Sequence, residues 1–253
     1  EMDKRIQTVN VPENLGIAQN TNKALSIAKG DYIGLLDHDD MLAADALFEV
    51  AKTVNDENAD VIYTNEDKIT MSGEKHFQPN FKPEFNLDML RSNNYICHFF
   101  IAKASLMKEI GGFRGEYNGA QDHDMIFRCT ERADNIVRIP KVLYHWRMHE
   151  QSTAENPESK RYAFDAGKKV IEDHLKRCGE SAEVEMTEYP GFYRVKYAIK
   201  EKPRVSVVIV KETKSMIPKD TLIKIADDYG RDRVEFYVVD GNYKGDIEFD
   251  GIS

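Results

Sequence analysis

Eleven residues, Gly30-Asp31-Tyr32-Ile33-Gly34-Leu35-Leu36-Asp37-His38-Asp39-Asp40, constrain this chain most. A mostly apolar run drives straight into acidic and titratable residues with no turn residue between them, as a buried strand does when it ends in a carboxylate cluster. Three carboxylates held this close repel one another unless something positive sits among them. Oxygen-only ligands of this kind suit Mg²⁺ or Mn²⁺, ions that often also hold a substrate phosphate. A solvated acidic turn is the alternative, and these residues alone leave both readings open.

The surrounding pattern favours a site. Arg5 to Val11 alternate apolar and polar residues and predict a short strand, ended at Pro12-Glu13-Asn14. Ile17 to Lys29 carry apolar residues on one helical face, with Gly30 as the stop. A strand over Tyr32–Leu36, a helix over Asp45–Asn55 and a strand over Asp60–Thr64 follow. Strand–helix–strand alternation at this spacing predicts an α/β fold, a mixed and mainly parallel sheet flanked by helices. Ligands of such sheets bind beyond the carboxyl ends of strands, where Asp37–Asp40 falls. Residues 65–94 read as irregular, with a hairpin signal at Met71-Ser72-Gly73. Further on, a strand over Cys97–Ala102, a short helix over Ser105–Ile110 and a helix over Gln121–Arg132 are expected. A strand over Val142–Arg147, a long helix from Asn156-Pro157 to Cys178 and a hairpin over Val184–Ala198 come next. After a linker at Lys200–Pro203 the pattern restarts, as strand Val205–Val210, helix Lys219–Tyr229 and strand Glu235–Val239. The domains are therefore read as 1–200 and 203–253.

Composition narrows the function. The 253 residues suffice for a sizeable core, and a net charge of −9 without a Lys/Arg block argues against a nucleic-acid partner. Three widely spaced cysteines with no C-x-x-C pair suggest neither a zinc site nor a disulfide framework, which fits a reducing cytoplasm. No apolar run reaches the roughly 18 residues of a membrane span. The chain opens in mid-charge-run without Met, as an excised piece of a longer protein would.

The motifs, taken in order, resemble those of family 2 inverting glycosyltransferases with a GT-A fold. The matching groups are Asn14-Leu15-Gly16, Asn22-Lys23-Ala24, Ala28-Lys29-Gly30-Asp31-Tyr32 and Leu36-Asp37-His38-Asp39-Asp40. Gly111-Gly112-Phe113 and Gly119-Ala120-Gln121-Asp122-His123-Asp124-Met125 with Arg128 continue the match. The stretch Ile139–His149 followed by Ser152-Thr153-Ala154 is similar to a subgroup acting on bacterial surface polysaccharides. The resemblance spans roughly residues 5–200.

It implies transfer from a nucleoside-diphosphate sugar to a glycan or lipid-linked acceptor, with Mn²⁺ or Mg²⁺ offsetting charge on the departing diphosphate. Asp39 is then the direct metal ligand, Asp37 a contact to ribose or metal shell, and Asp40 their support. Asp122 matches the position of the base that deprotonates the acceptor hydroxyl, with Asp124 as the fallback. An acidic helix cap is the plain alternative for this pair. His149 lies where relatives reach the metal or diphosphate. Arg147 balances phosphate charge or makes a structural ion pair. His145 reads as an inward core histidine, Tyr144 and Trp146 as core, His38 as a neighbour tuning the pocket. Asn65-Glu66-Asp67 reads as a solvated or acceptor-side loop.

The family's opening strand–helix–strand, whose second strand ends in a base-reading aspartate, has no counterpart before Ile6. Val205–Val210 and Phe236–Asn242 resemble that unit, with Asp240 in the base-reading place. Residues 203–253 either begin a second transferase or complete the first sheet, within the chain or by a segment swap in a homodimer. The whole is expected in the cytoplasm, with peripheral association at the inner face of the membrane. A truncated module that binds nucleotide or carbohydrate without turnover is the non-enzyme alternative.

Overall fold

A computed structural model describes residues 3–148, 161–211 and 219–240 of the chain. Two compact units divide it, Glu1–Tyr197 and Ala198–Ser253.

The first unit is built on β3 (Val61–Ile69), a nine-residue strand to which three others attach. Its first half pairs antiparallel with β5 (Phe100–Lys103), its second half antiparallel with β4 (His76–Asn80). Along its other edge runs β6 (Ile136–Arg147), in parallel. β1 (Tyr32–Gly34) adds to β5, and β2 (Met41–Leu42) to β6, giving the order β1-β5-β3-β6-β2 with β4 beside β3. Alternation along β3 then separates two cores. Tyr63, with Phe100 and Ala102, packs on Met125–Phe127 of α5 (Gln121–Thr130) and on Val170 and Ile171 of α6 (Arg161–Arg177). Ile62, with Ile101, Val137 and Ile139, packs on Ala46 and Val50 of α2 (Ala46–Glu57). Helix α1 (Ile17–Ile27) precedes β1, and α3 (Leu87–Ser92) and α4 (Ala104–Glu109) complete the helices. A hairpin of β7 (Ala182–Met186) and β8 (Tyr193–Tyr197) ends the unit.

The mixed α/β sheet flanked by helices is the expected one, but its parallel share is smaller than expected: β3 with β6 is the single parallel ladder of the six-stranded sheet. The reason is local, because β3 turns straight back into β4 through Thr70–Lys75 rather than crossing over a helix. The strand expected over Arg5–Val11 does not form, and Ile6 stays 62% exposed. Its alternation has no partner strand against which to bury a face. Residues 65–94, expected to be irregular, instead hold the end of β3, then β4 and α3. The acidic residues of β3 do not end it, because each carboxylate finds cationic or imidazole partners inside the sheet. Pro140 sits in a bulge of β6: Thr64 faces Ile139 while Asn65 faces Val142.

In the second unit β9 (Val205–Lys211), α7 (Lys219–Tyr229) and β10 (Val234–Asp240) form the expected β–α–β. The strands pair in parallel from Val205↔Val234 to Lys211↔Asp240, and Leu222 and Ala226 of α7 are buried.

Candidate active site

β1 ends at Gly34, and Leu35 extends its pairing by donating to the Phe100 carbonyl. The chain then turns through Asp37–Asp40, with Asp40 N–H donating to Asp37 O at 3.2 Å, and leaves along β2. Tyr144 of β6 holds this turn. Its hydroxyl donates to Asp40 Oδ2 at 2.5 Å and accepts the Asp37 N–H at 3.3 Å. Burial, followed by the hydrogen bond to Asp40, pushes the Tyr144 phenol well up, so it remains a donor. The second Asp40 oxygen accepts the Arg147 N–H at 2.8 Å. Asp40 is thus tied to β6 through both oxygens and braces the turn.

Arg147 is committed in the same way. Its Nε donates to Asp39 O at 2.6 Å and its Nη1 to Thr70 O and Met71 O at 3.2 and 2.7 Å. Of its two open readings, the arrangement is the structural one, though to carbonyls rather than to an acid. What the turn leaves towards water are Asp37, 62% exposed at its side chain, and Asp39, 32% exposed and 3.6 Å from the almost fully exposed His38.

An imidazole faces the turn from β5's approach. His98 Nε2 lies 3.8 Å from Asp37 Oδ2, and its ring stacks on Tyr144 at 4.9 Å. Its other side meets Glu66 of β3, which accepts the His98 backbone N–H at 2.6 Å and sits 3.3 Å from Nδ1. Burial depresses the imidazole, but the Glu66 hydrogen bond and the charges of Glu66, Asp122 and Asp37 outweigh it and raise its pKa. Glu66 is itself pushed up by burial and pulled down further by His98 and Lys82. Lys82, 3% exposed, completes the chain 3.6 Å from Glu66, donating to the carbonyls of Ile96 and His98. Asp37 is raised, first by the protein that displaces water around it; His98 opposes this, and Asp40, Asp122 and Asp39 add to it.

Asp122 comes to the same place from the first turn of α5. It is half-buried and accepts from Asn94 Nδ2 at 3.1 Å. Its charge bears on Asp37 and His98, and after burial it is the largest cause raising the neighbouring Cys97 thiol. The fold therefore converges Asp37 and Asp122, 85 residues apart in the chain, around His98.

Asp124 is a correction to the sequence reading. The fallback base is fully buried, and both its oxygens are taken by guanidinium groups. Arg128 donates to Oδ2 through Nε at 2.9 Å and Nη2 at 2.6 Å, and Arg114 donates to both oxygens. Arg128 also caps the carbonyls of Ile110 and Gly112, each at 2.8 Å. Asn22 of α1 clasps the next residue, donating to Phe113 O and accepting Phe113 N–H, both at 2.8 Å. At Gly112 (φ +73°) an added Cβ would lie 2.6 Å from Asn22 Oδ1. The Asn22, Gly-Gly-Phe and Asp124/Arg128 motifs are therefore one structural clamp that seats α5 and aims Asp122.

His149 lies outside the described residues, as does the side chain of Asp240, whose backbone closes β10. Trp146 is half-buried beside His98, and Tyr144 is core as expected while also gripping the turn. Sequence reasoning missed His98, a lone histidine in an apolar run that offers no signal. It took Glu66 for a loop residue, although an acid beside a strand was visible. A cleft of about 590 Å³ runs between α1 and β1 to Asp37 and His38, lined by Thr21, Leu25, Ile33 and Leu36. Carboxylates at a water-accessible turn are the oxygen donors that a hard divalent ion takes, an ion that uses few protein ligands and keeps places for water and phosphate.

Residues 1–111 match the family described as Glycosyl transferase family 2. The chain is 38% identical over 252 residues to the uncharacterized protein y4gI of Sinorhizobium fredii, covering 98% of this chain and 27% of that protein. It is 33% identical over 210 residues to the O-antigen biosynthesis protein RfbC of Myxococcus xanthus, covering 83% of this chain and 16% of that one. The chain thus spans about a quarter or less of these relatives' lengths. Among solved structures, S. aureus TarS 1-349 in complex with UDP-GlcNAc aligns with a TM-score of 0.46 at 18% identity, over 64% of this chain and 52% of that one.

Proposed function

We propose, from the premise that this chain belongs to glycosyltransferase family 2 through residues 1–111, that its first unit transfers a sugar with inversion from a nucleoside-diphosphate sugar to a glycan hydroxyl in polysaccharide synthesis. The observation that carries the reading is that Asp37 and Asp122, from separate elements, come together beside the His98 imidazole, Asp37 at 3.8 Å from its Nε2.

Asp39 and Asp37 would hold Mn²⁺ or Mg²⁺, which when bound offsets charge on the departing diphosphate. Tyr144, Asp40 and Arg147 keep their turn in one conformation, so the carboxylates need no rearrangement to receive it. The donor takes the cleft between α1 and β1, with its diphosphate end at Asp37. Asp122 takes the proton of the attacking hydroxyl, and Asn94 fixes the orientation of its carboxylate. His98 lies beside Asp37, and the charges of Asp37 and Asp122 both favour its protonated form. The similarity to an O-antigen biosynthesis protein supports a cell-surface glycan, free or lipid-linked, as the acceptor class. Among the described residues no helix is long and apolar enough to cross a membrane. Residues 203–253 we read as the opening β–α–β of a further transferase domain.

The test is release of nucleoside diphosphate from a panel of donors, beginning with UDP-sugars, with Asp122→Asn beside the parent. Transfer lost with donor binding kept, measured by calorimetry with Mn²⁺, is expected. Near-parental transfer by the variant would refute the base assignment. Binding without turnover in the parent would favour the binding-module reading.

A further inference from the structure

We propose that Asp67, His76 and His145 form a second metal site, suited to a borderline transition ion such as Zn²⁺ and separate from the hard-cation site at Asp37 and Asp39. The three residues come from three adjacent strands, β3, β4 and β6. Asp67 faces His145 directly across the parallel ladder. His76 faces Ile69, two positions beyond Asp67, so alternation brings it to the same face of the sheet. Glu66, by the same alternation, points to the other face and belongs to the His98 network.

The donor atoms already converge. His76 Nδ1 is 2.9 Å from Asp67 Oδ2, and His145 Nδ1 is 2.6 Å from Oδ1. The imidazole rings stand at 84° with centroids 4.6 Å apart, so they meet edge to face around the carboxylate. One ligand atom from each residue lies within 4.8 Å of the others. A tetrahedral ion with bonds of about 2.1 Å needs its ligand atoms about 3.4 Å apart. The two imidazole nitrogens must therefore draw back from the carboxylate by about 0.5 Å at His76 and about 0.8 Å at His145 to admit one, exchanging two hydrogen bonds for three metal bonds.

The donor set decides the class of ion. Two imidazoles and one carboxylate select zinc and its neighbours over Mg²⁺, and three protein ligands leave a position for water. Burial decides where the ion enters. Asp67 and His145 are 11% and 13% exposed at their side chains, whereas His76 is 50% exposed and gives access from solvent. Position decides what binding would do. His145 also pairs with Met41 of β2, the strand leaving the Asp37–Asp40 turn, so an ion here would tie β4, β3 and β6 together behind it.

The experiment uses the full chain without a histidine tag, with Zn²⁺ calorimetry and the visible absorption of bound Co²⁺ as readouts, neither of which depends on transfer. One ion per chain is expected at this site in the Asp39→Asn background, where the other cation site is disabled. His76→Gln, at a half-exposed position that the fold tolerates, should weaken it by at least tenfold, the scale of lost metal-site partners. Asp39→Asn should leave Zn²⁺ affinity unchanged. No heat and no Co²⁺ band would overturn the proposal and leave Asp67 as a hydrogen-bonded pin between strands. Binding that survives His76→Gln, or that Asp39→Asn removes, would overturn it as well, since the ion would then sit elsewhere.

Discussion

Two aspartates one helical position apart from being neighbours, Asp122 and Asp124, should respond to the same substitution in opposite ways. Asp124→Asn removes the negative charge between Arg114 and Arg128 while keeping the side chain's volume. Arg128 is 5% exposed at its side chain and cannot turn to water, so its charge would remain buried with neutral acceptors alone, the Ile110 and Gly112 carbonyls and the amide oxygen of the new side chain. Breaking a buried ion pair from one side costs about 3–5 kcal/mol. Arg114 keeps Asp173 at 2.7 Å and can reorganise at 29% exposure, so the lower half of that range is the better expectation. For a unit of this size each kcal/mol is worth about 2–4 °C, so Tm should fall by about 6–16 °C. Asp122→Asn touches the exchangeable partners Asn94 and Cys97 and should move Tm by no more than about 2 °C while abolishing transfer. Thermal unfolding followed by circular dichroism, beside donor turnover, separates the two. A stable Asp124→Asn with transfer lost, and an active Asp122→Asn, would reverse the roles and refute the clamp.

Three further outcomes follow from the same contacts. Tyr144→Phe removes the hydroxyl shared by Asp40 and the Asp37 N–H; losing a hydrogen bond to a charged group costs about 1.5–3 kcal/mol, and activation should need more Mn²⁺ in a metal titration. His98→Ala takes the imidazole from between Asp37 and Glu66, and half-maximal activation by Mn²⁺ should shift upward by about tenfold; an unchanged metal titration would show that His98 does not position Asp37. Glu131, pushed up by burial but pulled to about 2 by His174 and Arg177, is depressed in the folded state. Its contribution is therefore present above the ordinary carboxylate value and lost as pH falls towards 2. Glu131→Gln should flatten the acid limb of a urea-stability profile over that window, and an unaltered slope would exclude this pair as its source.

Local pattern was enough for most elements of this protein. Helix α7 occupies Lys219–Tyr229 as periodicity alone predicts, and the strand into Asp37–Asp40 was legible because an apolar run meeting acids has few other outcomes. Where the reading failed, a contact distant in sequence decided. Arg5–Val11 alternates like a strand, yet a strand exists only with a partner, and none lies beside it. Thr64–Ile69 looks like the end of a strand because buried acids are costly, yet Glu66 and Asp67 are met by His98, Lys82, His76 and His145 from other segments. The site divides the same way. Asp37, Asp39 and Asp122 stand out as residue types in a motif. That Asp40 and Arg147 brace the turn, that Asp124 is locked between arginines, and that His98 sits among the acids was decided by tertiary structure alone. The sequence specifies which groups are charged, but only packing determines which charges meet, and electrostatic energy depends on that distance.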